Sequence, residues 1–193
     1  MIDRGYVYEL LLLQHGPQNW WPSDSPFETM VGTVLVQRTK WHNVERSIEN
    51  LRSSGLLDPK NMRAQTVEIL AAHIYSCGFY RTKARKLNAL CTYFERHGDD
   101  VDRMRDVGST LRKELESVHG IGPETADAIM LYAVGLPTFV VDTYARRIFD
   151  RLGEPSAMGP HPLFRSWLLA GVRSDAETLG EYHALLVRHG REI

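Results

Sequence analysis

LRKELESVHGIGPETADAIMLYA, residues 111 to 133, decides the architecture of this chain. Leu111, Leu115 and Val118 recur at helical spacing before the break, and Ala126, Ile129, Met130 and Ala133 do so after it. Between them stands His119-Gly120-Ile121-Gly122, whose glycines permit positive φ and leave backbone N–H groups unshielded. Pro123 suits the first position of the second helix, where the missing N–H would have no partner anyway. The reading is a tight αα-hairpin that points bare amides and a helix start outward. That is an anion site, and DNA phosphate is the natural anion. A glycine turn between helices is common, so the GxG pattern alone is weak; the leucines before it and the small residues behind it carry the assignment.

Outward from the hairpin the chain reads as helix after helix. Residues 5–15 open it and Gly16-Pro17 ends that helix. Ser25-Pro26 followed by Glu28 is a helix start, and residues 27–37 (FETMVGTVLVQ) are apolar on several sides, as in a buried central helix. Val44, Ile48 and Leu51 keep the helical period until Gly55, and residues 67–73 and 82–96 carry it again. The one β-like run, Thr138 to Val141, is four residues long and has no partner strand. No repeat or low-complexity tract interrupts the pattern. The expected class is all-α.

Composition narrows the function classes. With 43% hydrophobic residues in 193, the chain has material for a real core, which excludes wholesale disorder. Twenty-three basic residues against 24 acidic give a net charge of -1, which excludes a histone-like polyanion coat but not a local basic patch. Cys77 and Cys91 are too few for a disulfide framework or a four-thiolate cluster and read as reduced, half-buried thiols. The eight histidines show no ligand spacing, so no catalytic metal is expected. No apolar run approaches the ~20 residues that cross a bilayer, and no cleavage site follows the short LLLL near the N-terminus. These readings make a soluble, cytoplasmic monomer the expectation.

Twenty residues past Gly122 comes FVVDTYARRIFDRLG, 139–153, in which Asp142 precedes a helix. Its plain role is an N-cap, which is typically worth ~1 kcal/mol. The set VHGIGPETAD…VVDTYARR, with FETMVGTVLVQRT at 27–39 and CGFYRTKARKL at 77–87, resembles the helix-hairpin-helix DNA glycosylases of the endonuclease III superfamily. The resemblance covers about residues 7 to 190. It implies two helical lobes with a DNA-binding cleft between them. One is a six-helix bundle over 23–134 that ends in the hairpin; the other combines 1–22 with 135–193 and carries the catalytic aspartate.

Such enzymes flip a damaged base out of double-stranded DNA before breaking its N-glycosidic bond. Positive charge then develops on the sugar, and a fixed carboxylate stabilises it and orients a water. By resemblance that carboxylate is Asp142. Glu124 occupies the hairpin position where bifunctional relatives hold a Schiff-base lysine, and a carboxylate cannot form that adduct. It reads either as a first-turn acid favoured by the helix dipole or as a second carboxylate assisting the water. Both readings make the chain a monofunctional glycosylase. Many relatives follow a YHALLV-like helix with four cysteines that hold an iron–sulfur cluster; EYHALLVRHGREI runs to Ile193 without them, so no such cluster is expected. A monovalent cation held by hairpin carbonyls is a family possibility.

The aromatic stretch Trp20-Trp21-Pro22, with Trp41, resembles the 3-methyladenine DNA glycosylase III branch, which reads alkylated purines by stacking. A cationic alkylpurine suits a π-rich slot. The same tryptophans serve equally as core between lobes. Thr33 stands where the mismatch-specific branch carries a glutamate, which argues against that activity. Gln37 resembles the wedge that fills the hole left by the flipped base, although a polar residue at a helix end is unremarkable. Gly120, Ile121 and Gly122 of the hairpin, with Lys83 and Arg146 from the basic stretches 81–86 and 146–147, form the expected phosphate-facing set. Two rival readings remain: an endonuclease III-like pyrimidine glycosylase with AP lyase activity, against which Glu124 speaks, and a non-catalytic DNA-binding module, which needs neither Asp142 nor the tryptophans.

Overall fold

A computed structural model describes residues 2–173 and 175–193, and among them there are helices and no strand. They fall into two compact units, residues 23–129 and residues 1–22 with 130–193.

The continuous unit is built around α2 (Pro26–Leu35). Ser25 caps it, its hydroxyl accepting from Glu28 N at 3.2 Å, with Pro26 in the first turn. Met30, Val31, Val34 and Leu35 are all fully buried, so this helix has no wet face. Around it stand α3 (Trp41–Ser53), α4 (Pro59–Arg63), α5 (Val67–His73), α6 (Tyr80–Glu95), α7 (Val101–Asp106), α8 (Leu111–Ser117) and α9 (Pro123–Ala128). The periodicity missed α4 and α7 because five or six residues are too few to show a period. Their caps were the legible signal: Asp58 accepts from Asn61 N at 2.8 Å and Asp100 from Asp102 N at 2.9 Å.

The discontinuous unit contains α1 (Arg4–His15), α10 (Thr143–Arg151), α11 (His161–Leu169) and α12 (Ala176–Gly190). Both α1 and α10 pack on α12, whose Leu179, Tyr182, Leu185 and Leu186 are fully buried. Tyr182 donates to Arg4 O at 2.9 Å, which fixes the first helix on the last. Residues 138–141 are buried and belong to no sheet; Phe139 packs edge-on against Tyr182 with centroids 5.5 Å apart. The second seam between the units falls after Ile129 rather than after Val134. A π-helical turn, Ile129–Ala133, follows α9, and its Tyr132 is bonded to α12.

Lys83 corrects the sequence reading. It is 1% exposed, and its Nζ donates to Leu35 O at 2.9 Å and to Cys77 O at 2.8 Å. Burial holds its pKa below the ordinary lysine value. Facing no solvent, it is a structural cation at the C-terminal end of α2, where helix carbonyls favour positive charge. Lys83→Met is expected to lower stability by about 1–3 kcal/mol, since two buried carbonyls lose their donor while the lysine's own desolvation is relieved. Thermal melting measures that. The salt dependence of DNA affinity should stay unchanged, and a shallower slope with an unaltered melt would restore the phosphate-facing role.

Candidate functional site

The hairpin between α8 and α9 is closed by a buried fork. Asp127 is 0% exposed, and Arg112 embraces it through both terminal nitrogens, Nη1 to Oδ1 and Nη2 to Oδ2, the latter at 3.0 Å. A bidentate guanidinium fixes position as well as charge, so it holds the two helices at one spacing. Ile121, 4% exposed, anchors the turn in the core. The two glycines serve different ends. Gly120 has φ +83°, and a Cβ there would lie 2.3 Å from the Lys86 side chain, so backbone and packing both demand glycine. Gly122 has φ -93°, open to any residue, and a Cβ there meets nothing within 4 Å. The positive-φ expectation holds for the first and not for the second.

Gln37 lies beside this turn, tied to it. Its Nε2 donates to Gly120 O at 3.3 Å and to Thr125 Oγ1 at 3.1 Å, while Lys86 Nζ donates to its Oε1 at 2.5 Å. Burial, and secondarily the charge of Arg38, lowers the Lys86 pKa. Among the hairpin carbonyls, Gly120 O accepts from Gln37 and Val118 O from Ile121 N at 3.0 Å. Glu124 stands exposed in the first turn of α9, and Arg81 and Arg85 are exposed on α6.

In the discontinuous unit Asp142 caps α10, its Oδ1 accepting from Ala145 N at 2.7 Å. It is 8% exposed. Its second oxygen faces His183 Nε2 at 3.7 Å. On the far side of that imidazole, Nδ1 lies 2.6 Å from the Tyr132 hydroxyl, which also donates to Gly180 O at 2.9 Å. Burial first, then the negative charges of Asp142 and Glu181, hold the Tyr132 phenol protonated well above its ordinary range. Arg146 departs from its expected role: Nη1 donates to Ala157 O at 2.6 Å and Gly159 O at 3.0 Å, bracing the turn before α11.

Tyr132 is also a wall of a cavity of about 270 Å³ lined by Trp20, Trp21, Leu131, Gly180, Glu177 and Glu181 among others. Trp20 and Trp21 pack with centroids 4.9 Å apart, and Trp21 lies 5.5 Å from the Tyr132 ring. The loop carrying them is pinned to α12 by Glu181, whose carboxylate accepts from the backbone N–H of Gln18 and, at 3.1 Å, of Asn19. Pro22 and Trp41 are not part of that lining; Trp41 belongs to the other unit, at the start of α3. Tyr132, Glu181 and His183 escaped the sequence reading. Their one signal was a histidine and a glutamate inside the otherwise apolar helix GEYHALLV.

The family model described as HhH-GPD superfamily base excision DNA repair protein matches residues 31–163, more than half of the chain. The chain belongs to this superfamily. A Methanocaldococcus jannaschii protein provisionally named a DNA repair glycosylase is 38% identical over 97% of this chain and 86% of its own length. Bacillus subtilis endonuclease III is 32% identical over 67% of the chain, which spans 56% of that enzyme. Among solved structures, H. pylori 3-methyladenine DNA glycosylase bound to 1,N6-ethenoadenine superposes with a TM-score of 0.87 at 25% identity, covering 99% of this chain and 98% of that one. An endonuclease III–DNA complex shares the fold, with a TM-score of 0.79 at 24% identity over 96% of this chain and 83% of that one. As an HhH-GPD protein the chain is a base excision repair enzyme, a DNA N-glycosylase.

The unequal glycines of the HhH-GPD hairpin give a paired expectation. Gly120→Ala should cost roughly 1–3 kcal/mol through strain at positive φ and collision with Lys86. Gly122→Ala should cost less, roughly 0.5 kcal/mol, the usual preference for glycine over alanine at an N-cap. Equal losses in a denaturant titration would contradict the distinction.

Proposed function

We propose that this glycosylase is monofunctional, hydrolysing the N-glycosidic bond of alkylated purines flipped out of duplex DNA. The observation that carries the reading is the chain of contacts inside one compact unit. An aromatic cavity walled by Trp20, Trp21 and Tyr132 is joined through His183 to the carboxylate of Asp142. Aromatic faces attract a cationic alkylpurine, and such a base leaves readily. The carboxylate then stabilises the positive charge that grows on the sugar as the bond breaks. The likeness to the H. pylori 3-methyladenine glycosylase, which covers nearly both chains, supports the same substrate class.

DNA is held, in this reading, by the hairpin. Among the described residues beyond its chain neighbours, nothing lies within 4 Å of where a Gly122 side chain would be, which suits a backbone open to a phosphate. Exposed Arg81 and Arg85 replace Lys83 and Arg146 as the cationic contacts. Gln37 is the wedge, its amide oriented beforehand by Lys86 and Thr125. Glu124 supplies no amine, which leaves hydrolysis without strand cleavage. The residues do not fit the iron–sulfur cluster carried by many relatives. The chain has two cysteines, both buried in the hairpin unit, and burial pushes the Cys91 thiol up to about 12.

Duplexes carrying single lesions, treated with and without alkali, test this. Breaks only after alkali, and at alkylated purines, are expected; breaks without alkali would mean a lyase. Borohydride should trap no adduct. Asp142→Asn should lower base release by at least about a hundredfold with DNA affinity retained, since the amide still caps α10 but carries no charge. Trp21→Ala should cost roughly 1–3 kcal/mol in lesion processing. Unchanged excision of alkylated purines by this variant, with an unchanged melt, would remove the aromatic slot from the reaction.

A further inference from the structure

His183 is 7% exposed, and its Nε2 has no hydrogen-bond partner among the described residues. A buried polar atom left unmatched costs about 1–3 kcal/mol, so its persistence calls for a reason. The proton positions follow from the geometry around Tyr132. The phenol has one hydrogen, and Gly180 O, 2.9 Å away, can only accept. Both contacts of the phenol are satisfied together when its hydrogen goes to Gly180 O and its lone pair accepts from His183 Nδ1–H, 2.6 Å away. The ring proton then sits on Nδ1, and Nε2 presents a lone pair. The distance to Asp142 agrees. A proton on Nε2 would draw the carboxylate to the ~2.7–2.9 Å of a charge-assisted bond, whereas the gap is 3.7 Å.

Two acceptors thus face each other at a separation that excludes a direct bond and suits one bridging donor with two hydrogens. We propose that His183 Nε2 and Asp142 Oδ2 jointly accept the two hydrogens of a water and aim its oxygen at C1′ of the lesion sugar. This rests on the assignment of Asp142 above and adds a positioning residue to it. In the step, the C1′–N bond breaks with its electron pair leaving on the base. The water oxygen bonds to C1′, and the released proton passes to Asp142 Oδ2 and then to solvent. Tyr132 acts one contact further out by fixing the imidazole tautomer. Gly180 makes room for it: a Cβ at that position would lie 3.2 Å from the Tyr132 ring.

The test compares His183→Leu, His183→Gln, Tyr132→Phe and Asp142→Asn with the parent. Each is assayed for single-turnover base release from a duplex with one N-alkylated purine, for affinity to a duplex carrying a tetrahydrofuran abasic analogue, and for thermal melting. His183→Leu keeps the volume without the acceptor, and its release rate should fall at least about tenfold, less than the ~10²–10⁴ of a general base because His183 orients the water without taking its proton, at near-parental affinity. His183→Gln places an amide oxygen near the Nε2 position and should recover much of that loss, which a merely structural histidine would not require. Tyr132→Phe should slow release about fivefold or more, because the ring is then free to carry its proton on Nε2. A folded His183→Leu that releases base at the parental rate while Asp142→Asn is inactive overturns this inference alone. Parental rates in both overturn the Asp142 assignment as well. Should His183→Leu fail to fold, Tyr132→Phe decides, and a folded Tyr132→Phe at the parental rate overturns the inference. If the parent releases no alkylated purine, the substrate reading fails and the same variants are read on the lesion it does release.

Discussion

Burying a carboxylate costs several kcal/mol unless something compensates it, and among the described residues three are buried. Glu28 is matched by Arg52, whose Nη2 reaches its two oxygens at 2.9 and 2.8 Å. Asp127 is matched by the fork of Arg112. Asp142 has no arginine partner among the described residues. Among the described residues it has one backbone amide at the start of α10 and an imidazole too far for a hydrogen bond. Two of the three are neutralised and structural; the third keeps an oxygen uncommitted. Compensation of that kind holds hairpin and bundle in place, and withholding it leaves Asp142 Oδ2 open for the role proposed for it.

The same economy governs the cations. Lys83 has the look of a surface lysine in a basic run, but its position on the inner face of α6 places it against two helix-end carbonyls. Arg146 is drawn to the carbonyls of residues 157 and 159. Backbone carbonyls left unpaired at helix ends and turns compete with DNA for every arginine and lysine within reach. Arg81 and Arg85 stand exposed on α6, which is why the proposed reading gives them the phosphates.

Close approach supplies the remaining precision. At Gly120 and Gly180 the missing side chain lets Lys86 and Tyr132 press against backbone. The first contact aims Gln37, and the second brings a phenol onto α12 and orders His183. A Cβ at Gly122, by contrast, would meet nothing within 4 Å among the described residues, chain neighbours aside, and the proposed reading uses that openness.

The sequence by itself determined the helices, the hairpin, the family and the Asp142 cap of α10, because these rest on local signals. Periodicity, caps and a Gly-Ile-Gly-Pro turn act over a few residues and leave a pattern in the string. The short helices α4 and α7 lay below the length at which a period shows. Only the tertiary structure decided which charges are spent internally and which polar residues meet. Tyr132 and His183 are 51 residues apart and Gln18 and Glu181 are 163 apart, and no local rule links them. Lys83 and Lys86 are three residues apart on one helix, yet one is buried as a structural strut and the other aims Gln37. Their difference is the face each presents to the core, and packing sets that.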